Sequence, residues 1–284
     1  MYNLTITITE EQSEIAAAIG YGCGMGGCVE EPFGHNIKLT FYFTQKNEAK
    51  SAAASFAELL SIDNSEIEFV PDNQDWNAKW RESMEPAQIA DGVWVSPTWL
   101  EPPKEGRRAW LKIEPKMAFG TGHHETTRLA AKMLIDKSET IAGKSILDIG
   151  TGSGILCFVA DYVGAKSCLG VEIDEICCEN LEENLRDNPP RNGGDIEFLI
   201  GTLDAVDTSR KFDVVVMNML STESIPLLTQ ISNLTTKESI LIWSGILTDE
   251  KDEVITAAKK FGFKLSNSQT ENEWWCGAFA SVLP

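Results

Sequence analysis

No apolar run in this sequence approaches the ~18 residues that a membrane span requires. The start, MYNLTITITE, has neither the basic nor the apolar segment of a secretory leader. Bases are scarce: 24 Lys and Arg stand against 43 Asp and Glu, for a formal charge of −19. That balance argues against the phosphate backbone of a nucleic acid as the main partner and favours a basic one. Histidines number three, and the seven cysteines follow no framework spacing, so neither a metal site nor a disulfide scaffold is expected. These absences fit the reducing cytoplasm. What is abundant is apolar content, 43% of 284 residues, enough for a proper core and comfortable for two domains.

The charge is uneven. Residues 1–75 hold 12 acids and 3 bases, more than twice the net acidity per residue of the remainder. Within that stretch Leu4, Ile6 and Ile8 alternate with threonines, and Ile37, Leu39, Phe41 and Phe43 alternate with Lys38, Thr40 and Tyr42, the period of half-buried strands. Thr9 with Gln12 fits a capping box ahead of a helix marked by Ile15, Ala18 and Ile19. Ala49, Ala52, Phe56 and Leu60 mark a second helix. YGCGMGG at 21–27 reads as a turn. With short strands around 28–31 and 67–69 the order is β-α-β-β-α-β, a small α+β ferredoxin-like domain over residues 1–70. It carries no catalytic constellation, so binding is its expected task.

Residues 71–118 contain six prolines and the indoles of Trp76, Trp80, Trp94, Trp99 and Trp110. The prolines exclude long helices and the indoles exclude a loose tether. A packed linker region is expected, with a helix near 75–82 and strands near 92–96 and 108–113.

Residues 119–284 form the expected catalytic domain. Strand patterns at 145–149, 168–173, 196–200, 213–217 and 240–243 alternate with helical ones at 155–162, 175–186 and 249–261, the last with Thr248 as N-cap. Such alternation means a doubly wound, parallel α/β sheet. Two further strand patterns, 263–270 and 274–283, have no helix between them and must pair antiparallel, as a terminal hairpin.

The chemistry concentrates at three places. LDIGTGSG, residues 147–154, lies between a strand and a helix, where glycines permit a sharp turn and close approach of a ligand to main-chain N–H groups. Its spacing is G-x-G-x-G, not the G-x-G-x-x-G of dinucleotide binding, which disfavours a dehydrogenase. Asp148 would repel a pyrophosphate but accept a hydrogen bond from a cationic amino group, and Glu172, in GVEID, suits a pair of ribose hydroxyls. Both point to S-adenosyl-L-methionine. A second run, Phe119 to Thr127 (FGTGHHETT), precedes the sheet. Adjacent histidines in a tight loop do not complete a metal site. The loop is expected to close over the cofactor, with Thr126 and Thr127 capping the next helix. Asn218 ends the fourth strand in FDVVVMNML, where ligands bind in an open parallel sheet, and its amide oxygen suits an attacking amine.

AFGTGHHETT, LDIGTGSGIL, GVEID and FDVVVMNML together resemble the bacterial ribosomal protein L11 methyltransferase family over nearly all of residues 71–284. DWNAKWRE at 75–82 is similar to that family's linker. The resemblance implies a Rossmann-like, seven-stranded class I methyltransferase sheet with S-adenosyl-L-methionine as methyl donor. It implies repeated methylation of lysine and N-terminal amines on a large-subunit ribosomal protein gripped by the N-terminal domain, whose acidity suits a basic partner; a monomer is expected. Asn218 is the expected catalytic residue. Phe119, Gly120, Thr121, Gly122, Thr126, Asp148, Gly150, Thr151, Gly152, Glu172 and Asn218 are the expected cofactor contacts. Three residues depart from the family's usual pattern: Lys116 for a glycine, Glu172 for an aspartate, and Met219 for an isoleucine. Two other functions stay open, a methyltransferase of small amines and a non-catalytic ribosome-assembly factor that binds the cofactor.

Overall fold

Apolar periodicity organises the chain into two separate units, Met1–Met84 and Glu85–Pro284. A computed structural model describes all residues except 10, 11, 35, 63, 64, 70–83, 117, 192, 283 and 284, and the side chain of residue 14. The expected helix near 75–82, with Trp76, Trp80 and the DWNAKWRE motif, lies outside the described residues.

In the first unit the order is β1 (Tyr2–Ile8), α1 (Ser13–Gly22), β2 (Gly27–Phe33), β3 (Asn36–Phe43), α2 (Lys46–Leu60) and β4 (Glu66–Phe69). The strands form one antiparallel sheet in the order β2-β3-β1-β4, the ferredoxin-like arrangement. Alternation sends Leu4, Ile6, Ile8, Leu39, Phe41 and Phe43 into a core with Ala49, Ala52 and Phe56 of α2. The expected capping box at Thr9 is only half formed. Gln12 Oε1 accepts from Thr9 N and Oγ1, but the N-cap is Gln12 itself, without a side-chain cap of its own.

The second unit begins before the glycine-rich loops, not at them. β5 (Ala87–Ala90), β6 (Val93–Ser96) and β7 (Ala109–Lys112) make a three-stranded sheet. Ile89, Val93, Val95, Leu111 and Ile113 share one core with Leu129, Met133 and Leu134 of α3 (Glu125–Asp136). Burying each such side chain contributes roughly 1.5–3 kcal/mol. Residues 85–118 are therefore part of this unit and not a linker between domains. Trp110 packs between Arg107 and Lys112, and its Nε1 donates to Ser96 O.

The large sheet has seven strands in the order β10-β9-β8-β11-β12-β14-β13. These are β8 (Ser145–Ile149), β9 (Ser167–Glu172), β10 (Asp195–Ile200), β11 (Phe212–Asn218), β12 (Thr235–Leu247), β13 (Phe263–Glu271) and β14 (Trp274–Ser281). β8 to β12 run parallel, and β13 and β14 form the antiparallel hairpin. Connections include α4 (Ile155–Tyr162), α5 (Cys177–Asp187), α6 (Leu228–Leu234) and α7 (Lys251–Lys260). The strands read as unbroken apolar runs because both faces are covered. Ile146, Val214 and Val216 enter one core with α4, while Leu147, Val215 and Met217 enter the other with α6 and α7. Thr248 is not the cap of α7: Glu250 holds that position, and its carboxylate accepts from Leu247 N.

Candidate active site

β9 and β10 lie to one side of β8, and β11 and β12 to the other, so the strand order reverses at the carboxyl end of β8. A ligand crevice is expected there in any open parallel sheet. It exists as a cavity of about 730 Å³ lined by residues from both sides of the reversal, among them Phe119, Gly150, Gly152, Glu172, Asn218 and Trp274.

The glycine loop forms its floor. Gly152 has φ +54, and a Cβ there would lie 2.5 Å from Phe119 O, so no other residue fits. The expectation of free main-chain donors fails. Gly150 N and Thr151 N donate to Val171 O, Gly152 N to Glu172 Oε2, Ser153 N to Phe119 O and Gly154 N to Thr151 O. A pyrophosphate would find no unpaired N–H among these five residues, whereas a cationic ligand loses nothing.

Glu172 is 9% exposed and reaches the cavity with both oxygens engaged: Oε2 by Gly152 N at 2.8 Å, Oε1 by Ile173 N and Asp174 N at 2.9 and 3.1 Å. These bonds use one lone pair of Oε2 and leave the other for a hydroxyl. Asp148 sits behind the loop, 1% exposed and not part of the cavity lining. Its Oδ2 accepts from Thr151 Oγ1 at 2.6 Å, and its Oδ1 has no partner. Burial pushes its carboxyl up to about 6, against the opposing hydrogen bonds from Thr151 and Cys157.

The FGTGHHETT run folds over the glycine loop. Ser153 Oγ donates to Gly120 O at 2.7 Å, and Lys116 anchors the approach through ion pairs with Glu183 at 2.6 Å and Glu179 at 3.6 Å. Thr126 and Thr127 do not cap α3. His124 is the N-cap, its Nδ1 accepting from Thr126 N at 3.3 Å. The threonines instead hold the far wall. Asn218 Nδ2 donates to Thr127 Oγ1 at 3.3 Å, and Ser244 Oγ donates to Thr126 O at 2.8 Å. The amide of Asn218 is thereby oriented, with no protein donor on its Oδ1 among the described residues. His124 lies edge-on between Phe119 and Trp274, at 5.5 and 5.1 Å between ring centres.

Of the expected contacts, Phe119, Thr126, Gly150, Gly152, Glu172 and Asn218 line the cavity. Gly120, Thr121, Gly122, Asp148 and Thr151 do not. Sequence reasoning missed Trp274, Asp174 and Glu223, which also line it, and gave His124 no role beyond its place in the loop expected to close over the cofactor. It also missed Asn180 and Asn184, four apart on α5, and Asn188 at its C-cap. Asn180 Nδ2 donates to Glu114 O, Asn184 bridges Glu114 N and Ser153 O, and Asn188 pairs with both backbone groups of Lys112.

A doubly wound sheet of this order, closed by an antiparallel hairpin and with a cavity at its reversal whose glycine loop has no free N–H donor, defines a Rossmann-like methyltransferase fold. A solved structure titled as a ribosomal protein L11 methylase from Lactobacillus delbrueckii subsp. bulgaricus aligns over 70% of this chain and all of its own, at 25% identity and TM-score 0.62. The chain belongs to the ribosomal protein L11 methyltransferase (PrmA) family, whose model matches residues 5–281. Relatives bearing the name ribosomal protein L11 methyltransferase include one from Fusobacterium nucleatum, 31% identical over 93% of this chain and 92% of its own length. Another, from Syntrophotalea carbinolica, is 34% identical over 84% of this chain and 80% of its own.

Proposed function

We propose that this protein transfers methyl groups from S-adenosyl-L-methionine to lysine side-chain and N-terminal amines of ribosomal protein L11, in the cytoplasm. The observation that carries the reading is the cavity's electrostatic character. Its lining holds Glu172, Asp174 and Glu223 but no lysine or arginine, and its glycine floor has no amide donor to spare. A sulfonium donor with an ammonium group and an amine acceptor are both cationic, and both suit such a cavity. The remaining lone pair of Glu172 fits the donor's ribose end, the buried carboxyl of Asp148 behind the glycine loop favours its cationic end through charge alone, and Phe119 is available to its base.

When bound, S-adenosyl-L-methionine supplies an electrophilic methyl. An amine attacks only when neutral, and a free lysine is neutral in roughly one part in two thousand at pH 7. Asn218 Oδ1, fixed through Thr127, accepts a hydrogen bond from the amine and aims its lone pair. His124 and Trp274 line the same cavity. No strong base is required, because the departing proton passes to solvent. The first unit, net acidic, docks the basic substrate protein, an electrostatic match that favours encounter.

The test incubates the protein with labelled S-adenosyl-L-methionine and ribosomal proteins lacking methyl groups, and weighs each product. Mass gains in single-methyl steps on L11 alone are the expected result. Gains on a small amine alone would overturn the substrate, and no transfer despite donor binding would overturn the activity.

A further inference from the structure

The cavity's three carboxylates are not equivalent. Glu172 is committed to three backbone N–H groups, and Asp174 Oδ1 accepts from Ile176 N at 3.0 Å, both on the β9 side of the glycine loop. Glu223 belongs to the other side. It follows Asn218 in the short helical turn Ser221–Ser224, its side chain exposed while lining the same cavity. Its backbone N–H is bonded to Leu220 O, but the lining offers its carboxylate no counter-ion. Leu220, three residues earlier, is 49% exposed and lines the cavity as well. An apolar side chain and a carboxylate one helical turn apart, next to Asn218, match an aliphatic stem that ends in a charge.

Resting on the amine-methylation reading, we propose that Glu223, with Leu220 beside it, is a specificity-determining residue that receives the cationic side chain of the substrate. Leu220 contacts the methylene stem and Glu223 attracts the ammonium into the cavity mouth. A carboxylate is far too weak a base to deprotonate an alkylammonium, so Glu223 does not act as the base. The proton leaves to water, one N–C bond forms and one S–C bond breaks, and Glu223 is unchanged. Each methylated product remains basic or, at the trimethyl stage, permanently cationic. Glu223 therefore retains the intermediate amines at the mouth for the next round.

The experiment needs no turnover. The protein loaded with S-adenosylhomocysteine is titrated with Nα-acetyl-lysine methylamide and with its neutral isostere, Nα-acetyl-norleucine methylamide. In Glu223→Gln the lysine amide is expected to bind three- to tenfold more weakly, and in Glu223→Lys more weakly still. Glu223→Asp should stay within about twofold of the wild type. Norleucine amide and S-adenosylhomocysteine should bind all forms alike. Equal lysine affinity in wild type and Glu223→Gln, including no binding to either, overturns the proposal. Parallel loss of both amides also overturns it, since that marks a structural defect. Failure of the proposed function is a separate result: wild-type protein that leaves L11 unmodified while its lysine affinity still depends on Glu223.

Discussion

Asp148 is enclosed at the end of β8 with one oxygen unpartnered, and burial holds its carboxyl at about 6 instead of the usual 3.8. An acid whose folded value is raised binds its proton more tightly in the native state. Stability therefore falls as pH rises from 3.8 toward 6, and the deficit persists above that. Asp148→Asn removes the conflict. Ligand-free protein carrying it should be more stable at neutral pH by about 1–2 kcal/mol in calorimetry, while its affinity for S-adenosyl-L-methionine drops about fivefold with the negative charge behind the glycine loop gone. Wild-type affinity should climb between pH 5 and 7 and stay flat in the variant. Losses of the same sign in stability and affinity would show a purely structural residue. Asn218 carries the opposite signature. Asn218→Ala should slow methyl transfer by about a hundredfold and leave donor affinity within about threefold, because the amide positions only the acceptor. Both residues were legible in the sequence as polar types at the ends of apolar strands. That Asp148 stands behind the cavity was not, since G-x-G-x-G spacing says where the loop turns and not which of its neighbours it covers.

The helices show what spacing conceals. α4 and β8 agree with their sequence patterns to the residue, because each is an apolar run between glycines. α5 does not look like an internal element: acids dominate its composition, and Asn180, Asn184 and Asn188 resemble surface residues. Their partners are backbone groups of residues 112–114 and of Ser153, distant in sequence. No local pattern could reveal them. The same limit explains the misread caps, since His124 and Glu250 win their positions by backbone geometry that side-chain type alone does not specify. Asn184 is fully buried and bridges Glu114 N to Ser153 O at 2.9 Å each. Asn184→Leu keeps the volume but leaves both backbone groups unpaired, so about 2–4 kcal/mol of stability should be lost in denaturant unfolding. Because Ser153 also grips Phe119 and Gly120, the donor should bind severalfold more weakly even where the variant is fully folded. An unchanged donor affinity would confine the asparagines to scaffolding.

At the scale of the whole chain, the first unit is the more acidic per residue, the basis of its proposed docking role. The boundary expected near residue 70 came from the end of the ferredoxin-like pattern, and prolines and tryptophans made the next stretch resemble a connector. The apolar alternation of Ile89, Val93, Val95 and Leu111 shows its membership in the catalytic unit only once α3 is folded against it. A fragment beginning at Glu85 therefore retains the seven-stranded sheet, the three-stranded sheet and the whole cavity lining. It should bind S-adenosyl-L-methionine with full-length affinity. With the acidic first unit removed, kcat/KM for L11 is expected to fall by at least about a hundredfold at low salt, with most of the loss in KM. Ionic strength separates lost attraction from lost contact. Raising salt from 50 to 300 mM should weaken the full-length reaction steeply, because screening shortens the reach of its charge to below ~10 Å, and should scarcely affect the fragment. A fragment that methylates L11 as well as the whole protein would remove docking from the first unit. A fragment with the same salt slope as the whole protein would move the attraction to the cavity mouth, where Glu223 stands.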